Sequence, residues 1–129
     1  MVLKESLNKE IIEAGNALIE RLKERGQDIP AAVWMYLPEP RLWRLFLATP
    51  LVKSKGPRAA YDAVLAVLAD HKEELPVLDL QDVTVVSPDD SVLEPFRTAL
   101  DKSEGPGIRL RHNTIAGKYI EDAYVYRLV

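Results

Sequence analysis

The sequence predicts an α+β (mixed α/β) fold, with one domain over residues 1–129 in the order α-β-β-α-β-α-β-β and a five-stranded mixed sheet on which three helices pack. Three observations lead to this fold class. Apolar residues repeat at helical spacing near the N-terminus, and two aromatic-rich runs flank a proline-containing turn, as the strands of β-hairpins do. Beyond them, helix-like and strand-like segments alternate, as they do where helices cross over a sheet.

The first predicted helix covers residues 3–25. Gly15 lies inside it, and the missing side chain would let another element approach closely. Gly26 follows Arg25 and the last apolar position, which is a common way for a helix to end. We expect the apolar face to pack on the chain's own sheet rather than in a coiled coil. The apolar positions recur at steps of three and four: Leu3, Leu7, Ile11, Ala14, Leu18 and Leu22.

A β-hairpin is predicted from residues 31–37 and 42–48 around Pro38-Glu39-Pro40. Proline lacks an N–H group and therefore belongs in the turn or at a strand end. Side chains on a strand point to alternate faces, and both faces of this hairpin are mostly apolar. We therefore predict that each face is covered, whether by helices, by a second subunit or by a ligand.

The same hairpin carries the side-chain types that anchor protein interfaces. These types also fill protein cores, and we expect some of them to do only that. The candidate interface residues are Trp34, Tyr36, Trp43, Arg44 and Phe46. They motivate the prediction of a protein partner or of a homo-oligomer.

A second helix and a third strand are predicted in the middle of the chain. Residues 53–58 are expected to form a loop that leads into a second helix, because Pro57 suits a first helical position. A β-branched run predicts a third strand over residues 82–87. We expect the connection between the second and third strands to be a right-handed crossover with parallel pairing.

A third helix is predicted over residues 91–102. Its start is placed at Ser91, which forms a capping box with Glu94. Two antiparallel strands follow at about 108–114 and 119–128. The helix again suggests a crossover, with parallel pairing between the third and fourth strands.

Composition excludes several classes of protein. The chain has no cysteine, which excludes disulfides, thiolate metal sites and cysteine nucleophiles. Hydrophobic residues make up 47% of the chain and charged residues 29%, a balance typical of a globular domain rather than a disordered chain. No apolar run is long enough for a membrane-spanning helix, and the N-terminus does not resemble a signal peptide. We therefore expect a cytoplasmic protein with no membrane partner.

Charge is unevenly distributed around a net charge of −3. Residues 73–104 carry nine acidic and two basic side chains, which gives −7, whereas residues 41–58 carry five basic side chains and no acidic one. Nucleic-acid-binding domains are usually basic as a whole, so a general polyanion binder is not predicted. A local anion site is compatible with this distribution.

The basic segment supplies the candidate anion site. Lys53, Lys55 and Arg58 carry positive charge, and Gly56 would let a ligand approach the backbone at the start of a helix. The segment does not match the phosphate-binding loop pattern, so no nucleotidase is predicted. A solvated basic loop is the alternative interpretation.

Acidic residues offer a further candidate. Asp89 and Asp90 follow the third predicted strand, where carboxylates could bind Mg²⁺ in a metal-dependent hydrolase that also uses His112. His112 could instead exchange a proton with Tyr119 or Glu121 near the last turn. Ordinary turn and helix-start chemistry explains the two aspartates without a metal. We therefore assign no catalytic residue, no metal ligand and no cofactor.

The C-terminal hairpin mixes cations with tyrosines, a combination that can neutralise phosphates and stack bases. The candidate nucleic-acid-binding residues are Arg109, Arg111, Lys118, Tyr119 and Arg127. The same alternation is typical of a half-exposed strand, and Glu121 and Asp122 interrupt the basic patch.

We therefore predict a small interaction or accessory protein that binds a protein partner or self-associates. The chain has no motif of a serine hydrolase or a zinc metalloprotease, so an enzyme is not favoured. A nucleic-acid or phosphate-anion binder that uses residues 53–58 and the C-terminal hairpin is the alternative. A metal-dependent hydrolase ranks below both.

Overall fold

The computed structural model describes residues 6–100, 107–115 and 117–129 of the chain. Its α-helices are α1 (Lys9–Glu24), α2 (Leu51–Lys55), α3 (Pro57–Asp70) and α4 (Glu94–Ala99). Its strands are β1 (Ala31–Leu37), β2 (Leu42–Ala48), β3 (Val83–Val86), β4 (Ile108–Ile115) and β5 (Lys118–Leu128). The fold is the predicted α+β arrangement, with the elements in the predicted order and one additional short helix, α2.

The five strands form one mixed sheet in the order β3-β2-β1-β5-β4. The two hairpins are antiparallel, β5 pairs antiparallel with β1, and β2 pairs parallel with β3. The predicted parallel pairing across the first crossover is therefore confirmed. The predicted pairing between β3 and β4 is wrong, because these strands lie at opposite edges of the sheet. The C-terminal hairpin instead adds its long strand β5 to the edge of β1 that β2 leaves free.

Both faces of the sheet are covered by helices of the same chain. Helices α1 and α3 pack on one face, around the fully buried side chains of Trp34, Leu45 and Leu47. The short helix α4 covers part of the opposite face, where Phe96 belongs to the same buried cluster as Val33 of β1 and Val125 of β5. The two crossover helices thus lie on different faces, and the shielding that was predicted for the β1–β2 hairpin comes largely from inside the domain.

Helix α1 begins later than its apolar repeat suggests. The side-chain oxygen of Asn8 accepts a hydrogen bond from the backbone N–H of Ile11 at 2.8 Å, and this cap sets the start at Lys9. Position 3 of the repeat lies outside the described residues. The predicted end is confirmed, because Gly26 adopts a left-handed backbone with φ of +81° immediately after the helix.

The predicted loop over residues 53–58 is wrong. Lys53 and Lys55 lie in helix α2, and Gly56, with φ of +92°, joins this helix directly to α3. The start of α3 at Pro57 is confirmed. The sequence did not predict α2, which follows Pro50, because a segment as short as Leu51–Lys55 cannot show a helical repeat.

The third predicted helix divides into a 3₁₀ turn at Ser91–Leu93 and the six-residue helix α4. The start is where it was predicted, but the cap is different. The carboxylate of Asp90, rather than the hydroxyl of Ser91, accepts the backbone N–H of Val92 at 2.9 Å. The predicted end is wrong, because α4 ends at Ala99 and Leu100 has an extended backbone. Residues 101 and 102 lie outside the described part of the chain.

Candidate functional site

A surface cleft of about 520 Å³ opens between the turn end of the β1–β2 hairpin, the β4–β5 hairpin, and Ser6 and Leu7, which precede α1. We call it the aromatic–arginine cleft. It brings together residues from two of the predicted sites, the hairpin interface and the nucleic-acid patch. Its lining consists of Ser6, Leu7, Tyr36, Trp43, Arg109, Arg111, His112, Glu121 and Asp122.

The aromatic wall of the cleft is a cross-strand pair. Tyr36 of β1 lies directly opposite Trp43 of β2, and the two rings meet edge to face with 5.7 Å between their centroids. Trp43 is only 4% exposed, whereas Tyr36 is half-buried at the rim. The guanidinium of Arg109 lies 5.3 Å from the centre of the Trp43 ring, within the range of a cation–π interaction.

A carboxylate holds this arginine in place. Asp122 of β5 accepts two hydrogen bonds from Arg109, from Nε at 2.6 Å and from Nη2 at 2.7 Å. Such a bidentate pair fixes both the position and the plane of the guanidinium. Partial burial by itself would raise the pKa of Asp122, but the hydrogen bonds from Arg109 and the charges of Arg109 and Arg111 outweigh it and lower the pKa.

Arg111 is the more exposed of the two arginines in the cleft. Its Nε lies 3.6 Å from Asp122, beyond a good hydrogen bond, and its side chain is 61% exposed. Glu121 also lines the cleft, so two arginines face two carboxylates and the lining carries no large net charge. The cleft therefore suits a group that combines an apolar surface with a carboxylate better than it suits a polyanion.

His112 stands at the mouth of the cleft in an uncommon backbone conformation. Its φ is +49°, and its Nδ1 lies 2.9 Å from the hydroxyl of Tyr119. The two side chains are therefore in contact, as the suggested proton exchange between them would require. Asp89 and Asp90 are engaged elsewhere, and the described residues contain no group of three ligating side chains that could hold a metal ion.

The candidate interface residues are distributed over several environments. Trp34 is fully buried and fills the core under α1. Arg44 donates a hydrogen bond to the Thr84 hydroxyl at 3.1 Å, and Phe46 packs half-buried on the α4 side of the sheet. Tyr36 and Trp43 line the aromatic–arginine cleft, so the structure brings together two of the five.

The remaining nucleic-acid candidates lie outside the cleft lining. Lys118 and Tyr119 are exposed at the turn of the β4–β5 hairpin, where Tyr119 is 58% exposed. Arg127 lies on β5 opposite Ala32, near the other end of the strand. The five candidates therefore do not form one continuous basic surface.

An ion pair connects Lys53 of the candidate anion site to Asp89 of the candidate metal site. The ammonium group of Lys53 binds the carboxylate of Asp89, which also accepts a hydrogen bond from the Ser87 hydroxyl at 2.6 Å. These bonds, that of Lys53 first, lower the pKa of Asp89 to about 2. Lys55 and Arg58 are exposed. The charge of Lys53 is thus already compensated within the chain.

A second groove of about 450 Å³, which no pattern in the sequence predicted, lies between α3 and the segment that follows it. We call it the leucine groove. In the sequence, this segment is distinguished only by the acidic charge of residues 73–104, whereas in the fold its Leu75 and Leu78 join the main core. The groove is lined by Leu65, Leu68, Ala69, Lys72, Leu75, Pro76, Leu78, Asp79 and Leu80.

Comparison with known proteins leaves the structure as the main guide to function. No protein-family model matches the chain, and no similar curated protein or solved structure was found. Within the described residues, none of the helices combines the length and the apolar character that crossing a membrane requires.

Proposed function

We propose that this chain is a small interaction protein that binds a partner protein through the aromatic–arginine cleft. The observation that carries the proposal is the placement of Arg109, which Asp122 fixes over the ring of Trp43. Tryptophan, tyrosine and arginine are the residue types that contribute most to protein interfaces. Because Asp122 already holds Arg109 in place, this part of the chain would lose little conformational entropy when a partner binds.

The chemistry of the cleft indicates what such a partner would present. Tyr36 and the alkyl part of Arg109 offer apolar surface, and Arg111 offers an exposed guanidinium. A protein segment with a carboxylate next to an aromatic or aliphatic side chain would satisfy both. A cytoplasmic location, which the cysteine-free composition suggests, is part of this proposal.

Arg111→Glu is the variant that tests the proposal, because this side chain is exposed and its replacement leaves the core intact. Lys118→Glu is the matched control, since it makes the same change of charge on the same hairpin outside the cleft lining. Affinity capture from the native cell should recover a specific partner with the wild type and with Lys118→Glu, but not with Arg111→Glu. Identical recovery with all three chains would contradict a role for the cleft.

Two other functions are distinguished by the same variants. Self-association predicts a dimer in light scattering that Arg111→Glu alone dissociates. Nucleic-acid binding remains the alternative because Lys118, Tyr119 and Arg111 are all exposed. It predicts that both charge reversals weaken binding to single-stranded oligonucleotides, with an affinity that falls steeply as salt is added.

A further inference from the structure

Two consecutive residues of β4, Arg111 and His112, both line the aromatic–arginine cleft, and so do their neighbours Glu121 and Asp122 on β5. In a regular strand, consecutive side chains point to opposite faces, so only one residue of each pair should lie on the cleft side. The register of β4 against β5 is the same on either side of His112, but the pairing skips His112 and Glu121. The left-handed backbone of His112 therefore lies where the regular alternation is interrupted.

This backbone conformation places an imidazole ring at the cleft. A left-handed backbone is uncommon for a residue other than glycine, although histidine, asparagine and aspartate adopt it more often than most. The ring is held by the hydroxyl of Tyr119, which lies 2.9 Å from its Nδ1. A protonated Nδ1 would donate to that hydroxyl oxygen, so the contact is compatible with both charge states of the ring.

Protonation of His112 changes the charge balance of the cleft. Among the described lining residues, two arginines and two carboxylates cancel, so a protonated imidazole leaves a net positive charge. Histidine ordinarily changes its charge between about pH 5 and pH 8, a range in which guanidinium groups and carboxylates stay charged and tyrosine stays neutral. The other charged or titratable groups around the ring are those of Arg109, Arg111, Tyr119, Glu121 and Asp122 on the two strands of its hairpin and Tyr36 on β1.

We propose that His112 makes binding at the aromatic–arginine cleft depend on pH, so that a partner's carboxylate is held more tightly in mildly acidic than in mildly alkaline solution. The inference rests on the proposed function, because it requires a partner segment whose carboxylate lies near Arg111. An imidazolium beside that arginine adds to the attraction for the carboxylate. Because His112 is exposed, water and salt screen the added charge, and the effect is a modest change of affinity.

The test measures the affinity of the full chain for a synthetic peptide with blocked ends, in which aspartate stands next to phenylalanine. Nuclear magnetic resonance titrations in low salt at about pH 5.5 and about pH 7.5 cover the range in which histidine titrates. The wild type should bind the peptide about two- to fivefold more tightly at the lower pH. A peptide with asparagine in place of aspartate should bind equally at both pH values, because it carries no carboxylate.

His112→Asn should abolish the difference between the two pH values, because asparagine tolerates the left-handed backbone and does not titrate. His112→Gly, which also adopts this backbone without strain, should behave in the same way. The matched control is His71→Asn, which replaces the other histidine of the chain, at the end of α3 and outside the cleft lining. It should keep the tighter binding at the lower pH.

Equal affinities of the wild type at the two pH values would overturn the proposal, and so would a pH dependence that both His112 variants retain. If Arg111→Glu weakens the peptide in either case, the cleft remains the binding site and only the role of His112 fails. If Arg111→Glu binds as the wild type does, the peptide binds elsewhere and both proposals fail. Absence of binding at both pH values would also overturn the role of His112, whereas the proposed function would still be decided by the capture experiment with Arg111→Glu.

Discussion

The indole N–H of Trp34 donates a hydrogen bond to the hydroxyl of Tyr126 at 2.8 Å, and that hydroxyl donates in turn to the backbone carbonyl of Ile12 at 2.6 Å. The relay connects β1, β5 and α1 in the interior of the domain. Burial raises the pKa of the Tyr126 hydroxyl well above its usual value, so the group stays protonated and can donate. The relay thus satisfies the one polar atom of a fully buried tryptophan ring.

Tyr126→Phe should lower the free energy of unfolding by about 1–3 kcal/mol. The substitution removes the hydroxyl and leaves the indole N–H of Trp34 buried without its acceptor. Urea denaturation followed by tryptophan fluorescence measures the change. Tyr119→Phe is the control, because Tyr119 is 58% exposed and its loss should change stability by less than about 0.5 kcal/mol. Equal effects of the two substitutions would show that the relay does not stabilise the fold.

Gly15→Ala should destabilise the protein, although alanine is the better helix former by about 1 kcal/mol. A Cβ atom at this position would lie 2.2 Å from the Tyr126 hydroxyl oxygen and 2.9 Å from the Trp34 Nε1. The overlap should outweigh helix propensity and cost about 1–3 kcal/mol. Thermal unfolding would measure it, with Asn16→Ala, at the exposed next position of α1, as the control. A higher melting temperature for Gly15→Ala than for the wild type would contradict the close approach.

Local signals in the sequence were sufficient to predict much of the fold. The strand bounds 31–37 and 42–48 were predicted correctly, because two prolines and dense aromatic runs mark the hairpin. The close approach of another element to Gly15 was likewise predicted from the missing side chain alone. In each case the determinant lies within a few residues of the element that it specifies.

The register between strands that are distant in sequence could not be predicted from such local signals. The bulge between Ala32 and Val33 shifts the register of β5, so that Tyr126 packs with the α1 side of the sheet and Leu128 with the α4 side. In the sequence, Asp122 only interrupts the basic patch of the C-terminal hairpin. Its pairing with Arg109 depends on the register of β4 against β5, which no local pattern encodes. The aromatic–arginine cleft was therefore not predictable as a unit.

Lys53→Met should raise the pKa of Asp89 from about 2 toward its ordinary value, because the hydrogen bond from Lys53 is the largest cause of the lowered pKa. A carboxylate whose pKa is lowered by folding stabilises the protein above its unfolded-state pKa of about 4, and this contribution is lost as the pH falls through the lowered value. The difference between variant and wild type should therefore disappear toward pH 2. Carboxyl carbon shifts in an acid titration measure the pKa directly.

Lys55→Met is the control for this titration, since Lys55 makes no contact with Asp89 in the described structure. The Ser87 hydroxyl still donates to Asp89 in the variant, so the pKa should remain somewhat below its ordinary value. An unchanged pKa in Lys53→Met would mean that the ion pair does not form in solution.

The last prediction concerns the pair that organises the aromatic–arginine cleft. Arg109→Met keeps an unbranched chain near Trp43 but removes both hydrogen bonds to Asp122. It should lower the free energy of unfolding by about 1–2 kcal/mol at neutral pH, a value reduced from that of a buried charged hydrogen bond because the Arg109 side chain is 30% exposed. Arg111→Met should lower the free energy of unfolding by less than about 0.5 kcal/mol, because the contact of Arg111 with Asp122 is longer and more exposed.

A double-mutant cycle with Asp122→Asn separates this pair from other effects of the substitutions. If the pair acts as a unit, Arg109→Met should cost clearly less in the Asp122→Asn background than in the wild type. The cost of Arg109→Met should also fall in acid, because protonation of Asp122 below its lowered pKa removes the charge that Arg109 binds. Additive single substitutions, or a cost that does not change with pH, would show that Asp122 does not hold Arg109 over the tryptophan ring.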